Sequence, residues 1–109
     1  MIWLFLYSPL INNALKINPY EAIYYEKLAE LYMELKLFQE AENSINYAIK
    51  LSPSNPEYYA CLGDILLAKN YYKAGVAAFK KAIELNTNNI TYYTKVAEIY
   101  ELQKNFEEA

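Results

Sequence analysis

"AIYYEKLAELY" spans Ala22 to Tyr32, and the two adjacent tyrosines within it decide how the chain is read. The pair Tyr24-Tyr25 returns as Tyr58-Tyr59 in "PEYYACLGDIL" and as Tyr92-Tyr93 in "ITYYTKVAEIY", each 34 residues after the last. Aligning the chain on these pairs brings other positions into register. Leu28, Leu62 and Val96 coincide, as do Ala29, Gly63 and Ala97, and Tyr32, Leu66 and Tyr100. Further on come Phe38, Tyr72 and Phe106, then Ala41, Gly75 and Ala109, and Ile45 matches Phe79. "ALKINP" (Ala14 to Pro19) matches "AIKLSP" (Ala48 to Pro53) and "AIELNT" (Ala82 to Thr87). A fixed period of this length is the mark of a stacked-repeat architecture, in which no unit buries its apolar face alone.

Each period holds two helical patterns. Tyr25, Ala29 and Tyr32 recur at i, i+4, i+7, with Tyr24, Leu28, Leu31 and Leu35 as a second stripe beside them; that spacing belongs to a helix with a wide apolar face. Phe38, Ala41, Ile45, Ala48 and Ile49 form the second pattern after a short link. Pro19 and Pro53 follow the second helices and stop them. At the third boundary Thr87-Asn88-Asn89 replaces the proline, and Asn88 or Asn89 is placed to cap the next helix. The small residues on both helices let them approach closely, with Phe38, Tyr72, and Ile45 or Phe79 filling the space around the crossing. The tyrosine pairs are therefore expected to be mainly architectural. The second Tyr of each pair packs within its own unit and the first faces a neighbouring unit.

Composition narrows the function. Hydrophobic residues make up 55% of 109 residues, enough for a core, and the net charge is -3 with no long block of one sign. The chain has no Arg, and a mildly acidic protein is poorly suited to displacing counterions from phosphates, so no nucleic-acid partner is expected. It has no His, and a single cysteine, Cys61, which forms neither an intramolecular disulfide nor a zinc site. One unpaired thiol suits a reducing, intracellular compartment, cytoplasmic or organellar. Four Ser and two helical Gly supply no nucleophile–base pair and no phosphate loop, so no enzyme, cofactor or metal is expected. Glu26, Glu30 and Glu34 share a helix face, but a carboxylate stack without turn ligands is ordinarily just solvated. The apolar start "MIWLFLYSPLI" is about half of the ~20 residues that a bilayer span needs, and lacks a basic leader. Membrane contact is thus unexpected outside residues 1–11.

The ladder Tyr25, Leu28-Ala29, Tyr32, Ala41, Ile45, Ala48, Pro53, echoed by Tyr59, Leu62-Gly63, Leu66, Gly75, Phe79, Ala82, resembles the tetratricopeptide repeat, a 34-residue helix-turn-helix unit. The resemblance runs from about Leu10 to Ala109. The related pentatricopeptide family, which binds RNA, has a longer unit. The implied fold is all-α, a right-handed α-solenoid of antiparallel helix pairs. Residues 1–9 form an apolar N-terminal segment and residues 10–109 the solenoid: a partial unit to 21, units 22–55 and 56–89, and an incomplete unit 90–109. In that third unit a first helix from Ile90 to Leu102 would be followed by a fragment of a second.

The resemblance implies protein binding along a concave groove lined by first helices. That side carries Ile23, Glu26, Lys27, Glu30 and Glu34 in one unit; Glu57, Ala60, Cys61, Asp64 and Leu67 in the next; and Thr91, Thr94, Lys95, Glu98 and Glu101 in the third. Glu30, Asp64 and Glu98 share one register and would make an acidic wall. Members that clamp the acidic tails of heat-shock chaperones carry Lys, Arg and Asn there; only Lys27 and Lys95 are available here. A basic peptide or helix suits this field better. Two readings stay open: an adaptor using the groove, and a structural subunit held in a larger or self-associated assembly through apolar, uncapped ends such as Ile2 to Tyr7 and Ile90 to Leu102.

Overall fold

The computed structural model describes residues Glu21 to Glu108, with side chains to Lys104. The expected N-terminal apolar segment and partial unit lie outside the described residues. Five helices and no strand occur among those described: α1 (Ala22–Glu34), α2 (Phe38–Leu51), α3 (Pro56–Ala68), α4 (Tyr72–Leu85) and α5 (Ile90–Glu108). The chain divides into two compact units, the first ending at Pro53 and the second beginning at Ser54. In the first, α1 packs against α2; in the second, α4 packs against both α3 and α5.

Helix ends follow local chemistry. Asn55 caps α3, its Oδ1 accepting from the Glu57 N–H at 3.0 Å, with Pro56 at the first helical position where a missing N–H costs nothing. Asn89, rather than Asn88, caps α5 by accepting from the Thr91 N–H at 2.9 Å. Glu21 holds the same register before α1 and makes no side-chain cap bond.

The links inside the helix pairs are two copies of one turn. Lys36 and Asn70 sit 34 residues apart with φ of 61° and 66°. The Leu37 N–H reaches back to the Tyr32 carbonyl and the Lys36 N–H to that of Met33; Tyr71 and Asn70 repeat this with Leu66 and Leu67. That paired closure is the Schellman motif, which satisfies the last carbonyls of a helix and turns the chain. Glycine favours the left-handed position, and neither unit has one there.

The third unit departs from expectation. Instead of a first helix ending near Leu102 and a turn before Phe106, α5 runs unbroken for 19 residues. The Schellman turn is helped by an apolar residue just past the left-handed position, supplied by Leu37 and Tyr71. In the sequence the polar Asn105 stands in that register.

Small residues set the packing. In the first unit Ala29, Ala41, Ile45 and Ala48 are fully buried. Ser44, also buried, donates to the Glu40 carbonyl at 2.9 Å. In the second unit Val76, Phe79, Ala82, Tyr92 and Ile99 form the core, with Tyr59, Leu67, Tyr72 and Val96 packed around it. Tyr92, first of its pair, is buried against residues of α4, while Tyr25, second of its pair, stacks on Tyr47 of α2 with ring centroids 4.9 Å apart. A Cβ added to Gly63 would stand 2.5 Å from the Phe79 ring, so glycine is required. The equivalent pair in the first unit is Ala29 with Ile45. The side chain is larger where its partner is smaller, so the crossing keeps its volume. At Gly75 a Cβ would meet the Gly63 carbonyl, Ile99 and a Leu67 backbone atom at 3.5–3.7 Å, which is ordinary contact.

The two glycines should therefore respond oppositely. Gly63→Ala is expected to cost about 1–3 kcal/mol of unfolding free energy in denaturant titration, and adding Phe79→Ile should cost less than the two single changes summed. Gly75→Ala should raise stability by about 1 kcal/mol, because the methyl fits and the helix gains propensity. Lys36→Gly is also expected to stabilise, by about 1 kcal/mol, because it removes a β-carbon from a left-handed backbone; an unchanged or lower melting temperature would contradict the turn described.

Candidate partner-binding site

The first unit presents the polar side of α1. Lys27, Glu30 and Glu34 are exposed, and Lys27 Nζ lies 3.5 Å from Glu30 Oε2 one turn along. Glu26 differs from expectation: it is buried with Ala22 and Ala29 on one stripe of α1 instead of lining an open face. Its register explains this, since Ala60 at the same position of α3 also packs against core residues.

The second unit holds the remaining residues. Glu57 is exposed in the first turn of α3, where the positive end of the helix dipole favours a carboxylate. Asp64 on α3 and Lys95 on α5 form an ion pair of 3.7 Å between half-exposed side chains. Lys95, expected to face a partner, thus already has a carboxylate beside it. Burial pushes the Asp64 carboxyl above its ordinary value, Lys95 pulls it back, and Glu98 adds a smaller upward push. Burial outweighs the pair because a half-exposed ammonium is well solvated and attracts weakly. Thr94 donates to the Ile90 carbonyl at 3.1 Å on the same helix.

Thr94, Glu98 and Glu101 come together with Ala97 and Leu102 around an open depression of about 470 Å³ on α5. Its lining is mostly apolar and includes Glu98 and Glu101 beside Ala97 and Leu102. Ala97 and Leu102 were absent from the expected set, although the spacing i, i+3, i+4, i+7, i+8 from Thr94 places them on one helix face. Tyr92 lies on the opposite side of α5. Its hydroxyl is pushed above the ordinary tyrosine value by burial, then by the Glu57 carboxylate. Among the described residues no group of three Asp, Glu or Cys side chains is placed to hold a metal ion, and no helix is long and apolar enough to cross a membrane.

Paired helices on a 34-residue period, with small residues at each crossing, define a helical-repeat interaction module. The tetratricopeptide-repeat family model matches residues 22–55 and 56–89, more than half of the chain, and the chain belongs to that family. Solved structures agree. The first such domain of human RPAP3 superposes with a TM-score of 0.83 at 22% identity, covering 91% of this chain and 78% of that one. The first such domain of Spaghetti (RPAP3), solved with the HSP90 peptide SRMEEVD, gives 0.80 at 22% identity, covering 86% and 75%. MamA gives 0.78 at 26% identity, and this chain, covered to 86%, spans 55% of it. No curated protein matches the sequence.

Carboxylate NMR should find Asp64 titrating above 3.8, and Lys95→Met should raise the midpoint further by removing the main opposing influence. Because the folded form holds this proton more tightly than the unfolded chain, Asp64 adds stability as pH falls through the window just above 3.8. It withholds that stability at neutral pH. A midpoint lowered below 3.8 would show the ion pair to dominate.

Proposed function

We propose that this chain is a non-enzymatic adaptor that binds a basic peptide or helix on the polar faces of its first helices. Tetratricopeptide domains are protein-interaction modules, and that much follows from membership. The observation that carries the finer reading is the shallow depression on α5, whose mostly apolar lining brings Glu98 and Glu101 together with Ala97 and Leu102. An apolar anchor flanked by Lys or Arg complements it in both shape and charge. The two cations on these faces, Lys27 and Lys95, each stand beside a carboxylate. An acidic tail like the HSP90 peptide bound by Spaghetti would meet Asp64, Glu98 and Glu101 and be repelled.

A second reading, a subunit fixed within a larger or self-associated assembly, rests on the exposure of Ile90 and Tyr100 on α5. Sizing at micromolar concentration separates the two, since a monomer argues against self-association.

Fluorescence anisotropy with a lysine-rich amphipathic peptide and with SRMEEVD tests the proposal. The basic peptide is expected to bind, and to weaken as salt rises from 0.05 to about 0.5 M because exposed charges are screened. Glu98→Lys with Glu101→Lys should weaken it about tenfold or more. Salt-independent binding, or a preference for SRMEEVD, would refute the basic-partner reading.

A further inference from the structure

Two charged rows run along the first helices on the 34-residue period. Glu30, Asp64 and Glu98 make a complete carboxylate row, whereas the lysine row three residues earlier reads Lys27, Cys61 and Lys95. On α1 the two rows pair along the helix, with Lys27 Nζ 3.5 Å from Glu30 Oε2. On α3 Cys61 takes the lysine place, so Asp64 has no lysine one turn before it. On α5 both members are present, yet Lys95 does not repeat the pairing of α1. It reaches across to Asp64 on α3 at 3.7 Å, and Glu98 makes no ion pair among the described residues. One ammonium therefore serves two carboxylates on facing helices, and Glu98 lies near enough to act on Asp64 electrostatically.

The choice has a physical cause. Asp64 is partly desolvated, so its ionised form gains more from a neighbouring cation than that of exposed Glu98 does. The pair is still weak, because the two side chains are 35% and 49% exposed and water competes for both. A contact of that strength is displaceable.

We infer that Lys95 is a specificity-determining residue of the partner surface: it occupies Asp64 as an internal competitor, and a partner's lysine or arginine gains that carboxylate only by displacing it. The inference rests on the basic-partner reading and adds to it the residue that limits affinity. With Lys95 in place, a partner's cation meets Glu98 as the open member of this row. With Lys95 removed, Asp64 joins Glu98, and charge from both α3 and α5 faces the partner.

Fluorescence anisotropy with the lysine-rich amphipathic peptide, at about 0.05 M salt so that exposed charges are little screened, compares wild type, Lys95→Met and Lys81→Met. Lys81 pairs with Glu84 at 3.5 Å on α4, so its replacement removes the same charge from the same unit but from a second helix. Lys95→Met is expected to tighten binding about threefold, the scale of an exposed ion pair, and Lys81→Met to leave it unchanged. Carboxylate NMR reads the contact itself. Saturating peptide should lower the Asp64 midpoint in Lys95→Met, where the partner's cation takes the vacated place, and move it little in wild type, where one cation replaces another. Equal tightening in both variants would make net charge the cause and overturn the inference. So would an Asp64 midpoint that the peptide leaves unmoved in Lys95→Met, or a lowered melting temperature with no gain in binding, which would make the pair a structural clasp. In each of these cases wild type still binds, and the basic-partner reading survives. Failure of both wild type and Lys95→Met to bind takes down the two together.

Discussion

The close approach of paired helices at a small-residue crossing is the constraint on which the rest depends. Where α3 meets α4, the Gly63 carbonyl lies near Gly75, and the Phe79 ring takes up the space a Gly63 side chain would fill. A wider crossing would leave the 1% exposed Phe79 ring without its van der Waals partner. It would also move Ile99, which contacts the same point from α5. One glycine pair therefore positions three helices. The first unit solves the problem differently, with Ala29 and Ala41 against Ile45. The two solutions cannot be mixed freely, since an alanine at 63 requires a smaller residue at 79. The repeat conserves a volume rather than a residue.

That ladder was legible because it is periodic: the tyrosine pairs, the small positions and the helix-stopping prolines all recur on one interval. What escaped the sequence lacked a residue signature. The turns at Lys36 and Asn70 adopt a backbone usually given to glycine, and lysine at such a position gives no hint of it. Backbone hydrogen bonds and the packing on either side hold Lys36 there against its own preference. The continuous α5 was missed for the opposite reason. Phe106 matches Phe38 and Tyr72 in register, but the residue before it is the polar Asn105, where the earlier turns have Leu37 and Tyr71.

The binding residues were legible only along each helix axis. Register placed Glu30, Asp64 and Glu98 in one row, but period alone cannot say which neighbour a charge meets. Asp64 lies against Lys95 of α5, and Glu26 points inward because its position follows the buried stripe of Ala22 and Ala29. Of the expected set, Thr94, Glu98 and Glu101 share a surface with apolar residues.

This distribution has a consequence for recognition. Carboxylates that already hold a lysine contribute little to a partner, because the partner's cation must compete with one in place. Glu34, Glu57, Glu98 and Glu101 are exposed and make no ion pair among the described residues, so they offer an incoming cation more than the paired Glu30 and Asp64 do. The largest exposed tyrosines of the first-helix register, Tyr93 and Tyr100, stand on α5. On α5 the exposed Glu98 and Glu101 stand among the exposed Tyr100 and Leu102, so charge and apolar area there lie within reach of one partner.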